Sequence, residues 1–186
     1  MPRAGLTPAL VVESATRIAD ASGLSALTLA AVAGEVGVRT PSLYKHVDGL
    51  PSLRRLVGVR AKRELAAVLS RATVGRSRGD AVRSLALAYR SWAAEHPGQA
   101  AAVQAAPLPG DDEDGEASTA VTDVVFAALR GYGLSDDALV DATRTLRAVL
   151  VGFAALEASG GFGMARPVDE SFDWWLDSFD TALSAG

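Results

Sequence analysis

Residues 27–47 read LTLAAVAGEVGVRTPSLYKHV, and this stretch decides the fold. Thr28 is placed to cap a short helix in which Leu29, Val32, Ala33 and Val36 form one buried stripe at helical spacing. Gly37 ends it, because glycine enters the left-handed backbone conformation without steric penalty. Only Val38 and Arg39 separate that stop from Thr40-Pro41, a second cap with a first-turn proline. The spacing predicts a third helix over about 39–47, with Leu43 and Val47 turned inward. Thr40, Ser42, Tyr44, Lys45 and His46 fall on its remaining surface. Two short helices joined by a glycine turn are the layout of a helix-turn-helix unit. Its second helix buries one face and offers the other to a major groove. Hydroxyls, a cation, an aromatic ring and an imidazole on that face can bond phosphates or base edges. The same pattern also describes a solvated polar face on an ordinary bundle helix.

Upstream, Thr7-Pro8 opens a first helix carrying Val11, Ala15, Ile18 and Ala19, stopped by Ser22-Gly23. Downstream, a longer helix is expected from Leu50 to about Ala72, and Gly75–Gly79 reads as a polar linker. Asp80 caps a helix bearing Leu85, Ala88, Tyr89 and Trp92, ended by His96-Pro97-Gly98. A short helix over 98–106 is followed by the acidic, proline-bearing run 107–116, which reads as a mobile loop. Further helices are expected over 117–132, 136–158 and 169–183. The fold class is all-α: an N-terminal three-helix helix-turn-helix domain and a C-terminal helical bundle. The expected boundaries are 1–60, a connecting segment 61–79, and 80–186.

The 186 residues are 49% apolar and 6% aromatic, so the core is built mainly from Ala, Val and Leu. There is no Cys, and the two His residues leave little material for a metal site or a catalytic triad. The net charge of −4 hides a polarity along the chain. Residues 1–79 hold 12 Lys and Arg against 5 Asp and Glu, whereas residues 80–186 hold 6 against 17. A basic first part fits a polyanion and an acidic second part repels one. Neither a signal peptide nor a membrane span is expected, which makes the cytoplasm the default location.

The segment Leu27–Ala33 through Gly37–Val47, with its Gly-Val followed by Leu-Tyr-Lys-His, closely resembles the DNA-binding domain of TetR-family transcriptional regulators. The likeness covers about residues 7–60. It implies that Thr28 contacts a phosphate, that Arg39, Thr40 and Ser42 read bases, and that Tyr44 and His46 hold the phosphate backbone. Lys45 would serve either purpose, and Arg3 would reach the adjacent minor groove. The chain departs from the family pattern at Val47, where Phe is frequent, and at Leu50-Pro51-Ser52, where many members carry a Lys. That leaves Arg54 or Arg55 to substitute for the missing phosphate anchor, or affinity to be lower. Trp92, His96 and Gly98 resemble the tryptophan-histidine-glycine signature of one subtype, although the segment also reads as a plain helix terminus.

Other constellations fail on their spacing. The run Asp111–Glu116 does not fit a calcium loop, because Gly110 and Val121 fall where carboxylates are needed. Gly160-Gly161-Phe162-Gly163 follows a helix and has no Lys to bind phosphate. No catalytic residues, metal or cofactor are expected. The sequence therefore points to a ligand-responsive homodimeric regulator of double-stranded DNA, most often a repressor in this family. The alternative is an all-α small-molecule binding protein or enzyme that does not act on DNA. A small apolar effector would sit among Tyr89, Trp92, Phe126, Phe153 and Trp174. The last two helices would pair with their symmetry mates.

Overall fold

The computed structural model describes residues 6–185, and every regular element among them is helical. Arg3 lies outside the described residues. Helix α1 spans Pro8–Ser22; the Thr7 hydroxyl accepts the Leu10 N–H, and Gly23 at φ 85° ends it. After a 3-10 turn at Leu24–Ala26 comes α2, Leu29–Glu35, whose first turn is closed by the Ala31 N–H donating to the Thr28 hydroxyl at 3.1 Å. Gly37 at φ 71° lets the Val38 N–H fold back onto the Ala33 carbonyl at 2.9 Å.

The next element differs from expectation. Instead of an α-helix over about 39–47, Thr40–Lys45 is a 3-10 helix, and its N-cap is Arg39 with no side-chain cap. The Ser42 N–H donates to the Arg39 carbonyl at 2.9 Å and the His46 N–H to the Leu43 carbonyl at 2.8 Å. These i→i+3 bonds set the tighter winding, and Pro41 in the first turn has no N–H to leave unpaired.

Then follow α3 (Gly49–Thr73), α4 (Arg78–Glu95), α5 (Pro97–Ala102), α6 (Asp112–Leu129), a 3-10 turn (Arg130–Tyr132), α7 (Asp136–Ala158) and α8 (Val168–Ser184). Helix α4 starts inside the expected linker, so Asp80 lies in its first turn rather than at its cap. Residues 112–116, expected in a mobile loop, form the start of α6. Asp112, Glu113 and Asp114 favour that helical end because unpaired N–H groups there attract negative charge.

The chain divides into two compact units, and not at the sequence boundary. One comprises residues up to Glu64 together with Glu95–Ser118, and the other comprises Leu65–Ala94 with Thr119 onward. The core of the first is Val11, Ala15, Leu27, Val32, Ala33, Leu43, Val47, Leu53, Val57 and Ala102. Ala102 belongs to it because α5 docks on the end of α1. The Asp20 carboxylate accepts the Gln99 backbone N–H and side-chain amide, both at 2.9 Å, and meets His96 Nδ1 at 3.1 Å. The second unit buries Leu85, Leu129, Leu146, Leu150, Phe172 and Leu176. No described helix is long and apolar enough to cross a membrane.

Candidate nucleic-acid interface

Winding at three residues per turn sorts Thr40–His46 into columns. Thr40, Leu43 and His46 share one column, with Leu43 fully buried and its two neighbours half-buried. Ser42 and Lys45 form a second column, and Pro41 and Tyr44 a third. Tyr44 is 58% exposed. Val47, 4% exposed, follows Leu43 by one α-type turn, its N–H donating to the Leu43 carbonyl at 3.0 Å. The segment is thus pinned by two apolar side chains and presents an ammonium and a phenol outward, with the Ser42 hydroxyl half-buried beside them.

Arg39 and Thr28 are also exposed. The Thr28 oxygen already accepts the Ala31 N–H, so its own O–H is left to donate to an anion. The structure brings Thr28, Arg39, Thr40, Ser42, Tyr44, Lys45 and His46 into the same unit, on α2 and the 3-10 helix or their caps.

Sequence reasoning missed what the acidic run does. Arg55 is held by Asp111 and, at 3.1 Å, by Glu113, while Arg63 reaches Glu113 at 3.3 Å. The hydrogen bonds to Asp111 hold the Arg55 guanidinium further above its ordinary range. The same contact lowers the Asp111 carboxyl to about 2. Lys62 donates to Asp114 at 2.6 Å and to the Ala105 carbonyl at 2.9 Å. Part of the positive charge counted in the first 79 residues is therefore already neutralised inside the first unit. Partners separated by 50 residues or more give no local spacing signal.

In the second unit the expected aromatic set is divided. Tyr89 and Trp92 are buried with ring centroids 6.3 Å apart. Phe153 packs on Phe162 and Phe172 at 4.7 and 4.8 Å, and Phe126 is half-buried. Trp174 is 64% exposed, because it lies about 200° round α8 from the buried Phe172. It is removed from the expected pocket. A cavity of about 370 Å³ is lined instead by Arg78, Asp80, Arg83, Leu176, Asp177 and Asp180, so it is charged rather than apolar. Beside it the Tyr132 hydroxyl donates to Asp180, and burial together with that carboxylate pushes the phenol above its usual range.

A short helix, a glycine turn and a second helical segment pinned by Leu43 and Val47 have the layout of a helix-turn-helix unit. The family model for the tetracyclin repressor-like C-terminal domain matches residues 82–179. The HTH-type transcriptional regulator Rv0681 of Mycobacterium tuberculosis is 40% identical over 151 residues, 81% of this chain and 69% of that one. The HTH-type transcriptional regulator YobS of Bacillus subtilis is 35% identical over 185 residues, 98% and 95% of the two chains. Among solved structures, BioQ with its DNA operator superposes with a TM-score of 0.70 at 24% identity, over 98% of this chain and 100% of that one. ActR of Streptomyces coelicolor in complex with (S)-DNPA gives 0.71 at 22%, over 99% and 100%. The chain belongs to the TetR family of transcriptional regulators, which are not enzymes.

Proposed function

We propose that this regulator is a cytoplasmic repressor that binds a roughly palindromic double-stranded operator as a homodimer and is released by a small apolar effector. The observation that carries the reading is the 3-10 segment: Leu43 and Val47 buried, with Tyr44 and Lys45 exposed. In this reading Ser42, Arg39 and Thr40 meet bases, Tyr44, His46 and Thr28 meet phosphates, and Lys45 serves either. BioQ is solved with an operator and ActR with a small molecule, which supports those two classes of partner. A helix-turn-helix dimer mirrors the two-fold symmetry of its operator. The faces that α7 and α8 leave outward carry Val140, Leu156 and Trp174, all exposed, and Trp174 in particular offers an anchor for a second copy. Tyr89, Trp92, Phe126 and Phe153 supply the aromatic surface for an effector. An effector acts by favouring a conformation whose two recognition segments are wrongly spaced, and its differential affinity for the two conformations sets the shift.

The competing class, a small-molecule binding protein without a DNA partner, leaves the exposed recognition face without a purpose. Gel shifts with fragments of the source genome, run across a salt series, separate the two. Specific complexes that weaken steeply with salt are expected; an absence of complexes at low salt sinks the proposal.

A further inference from the structure

Pairing within the first unit divides its cations into two groups. Arg17, Arg55, Lys62 and Arg63 each have a carboxylate within 4.0 Å. Arg39, Lys45, Arg54 and Arg60 have no such partner among the described residues. Arg39 and Lys45 flank the recognition segment. Arg54 is on α3, exposed, and one Nη2 N–H reaches the Leu27 carbonyl at 3.5 Å. Leu27 directly precedes Thr28, so this contact brings the guanidinium beside the start of α2. Arg60 lies six residues further on, about 240° round α3, and so faces another side.

We propose that Arg54 is a DNA-phosphate contact, an exposed guanidinium without a carboxylate and tethered next to Thr28, which extends the recognition surface beyond the 3-10 segment. A guanidinium has five N–H donors in a fixed fork, and the single bond to Leu27 leaves the rest for a phosphate. Arg55, its neighbour in sequence, cannot take this part, because Asp111 and Glu113 already neutralise it. Phosphate contacts position a protein without reading sequence, so Arg54 contributes affinity and leaves specificity to the segment around Ser42.

This inference rests on the DNA reading, and the test separates the two. Anisotropy titrations of a labelled duplex selected by the wild-type protein are run between about 50 and 200 mM salt. Because the dimer carries two copies of Arg54, Arg54→Gln is expected to make the log–log salt slope shallower by about 1.8, so that the wild-type advantage shrinks about twelvefold across that window. Its loss is equal on the selected duplex and on one with altered bases, and Arg54→Lys restores the slope. An Arg54→Gln protein with the wild-type slope, or an Arg54→Lys protein as shallow as the Gln variant, overturns the assignment. Lys45→Ala is the internal reference: if it too binds as the wild type does, the DNA surface itself is misplaced. If Lys45→Ala weakens binding while Arg54→Gln does not, only the Arg54 contact falls.

Discussion

The Lys62 ammonium lies 2.6 Å from the Asp114 carboxylate, and the two side chains are only 5% and 9% exposed. One belongs to α3 and the other to the first turns of α6, and Lys62 also holds the Ala105 carbonyl. An ion pair so far from water gains Coulomb energy but loses the hydration of both charges. Its net contribution is small, yet neither partner can be removed alone. Asp114→Ala is therefore expected to destabilise the protein by about 3–5 kcal/mol, while Lys62→Met combined with Asp114→Leu recovers most of the loss. Urea unfolding of the wild type and the two variants checks the coupling.

Gly98 and Gly34 give opposite predictions for the same substitution. A Cβ on Gly98 would lie 2.1 Å from the carbonyl carbon and oxygen of Ala19, which are backbone atoms that cannot move aside. Gly98→Ala should therefore separate α5 from α1 and cost about 3 kcal/mol or more. On Gly34 a Cβ meets nothing within 4 Å, and the residue sits inside α2. Gly34→Ala is expected to stabilise by about 0.5–1 kcal/mol, because alanine loses less backbone freedom on folding. Thermal unfolding midpoints that move in opposite directions are the expected outcome.

Asp111 gives a prediction in pH. Its folded value, about 2, lies below its ordinary 3.8 because Arg55 donates to it, with a further bond from the Asp114 N–H. A depressed carboxyl contributes stability that is fully present above 3.8 and is lost as pH falls through about 2. The stability difference between wild type and Asp111→Asn should thus be constant from neutral pH to about 4, then narrow and vanish near 2. A difference that persists unchanged at the acid end would assign the effect to packing rather than to charge.

Trp174 tests the assembly. Phe172, Leu176, Phe179 and Leu183 fill the interior face of α8, so only the opposite face is left for a partner. Trp174→Glu places a charge on that face without touching the interior. It should shift sedimentation from dimer toward monomer with the helical CD spectrum unchanged, since truncating a central aromatic anchor typically costs about 2 kcal/mol or more of association.

Local chemistry made much of this fold legible. Thr7, Thr28 and Ser135 cap helices because a hydroxyl three residues before an orphan N–H is in reach whatever the rest of the chain does. The buried stripe Val32, Ala33, Leu43 and Val47 follows equally from spacing. The misses are long-range. Residues 112–116 look like a solvated loop until Arg55, Lys62 and Arg63 are placed opposite them. Trp174 looks like a pocket residue until the register of α8 turns it outward. The division of the chain was also hidden, because α5 joins the N-terminal unit through Asp20, 79 residues away in sequence but hydrogen-bonded to Gln99.

The 3-10 winding sharpens which residues read DNA. Thr40 shares its column with buried Leu43, whereas Ser42 shares its column with exposed Lys45. Both hydroxyls are half-buried, but the one that shares its column with Lys45 stands nearer the exposed face. Ser42→Ala should therefore change base preference at one position of each operator half-site, by about 1–3 kcal/mol per contact against the selected base. Thr40→Ala should change preference less, and Tyr44→Ala should weaken every duplex alike, because a phosphate contact carries no base identity. Selection of bound sequences from a randomised duplex pool, repeated for each variant, measures this directly. Altered preference with Thr40→Ala and none with Ser42→Ala would overturn Ser42 as the base reader, because Thr40 stays beside buried Leu43 in either a 3-10 or an α-helical winding.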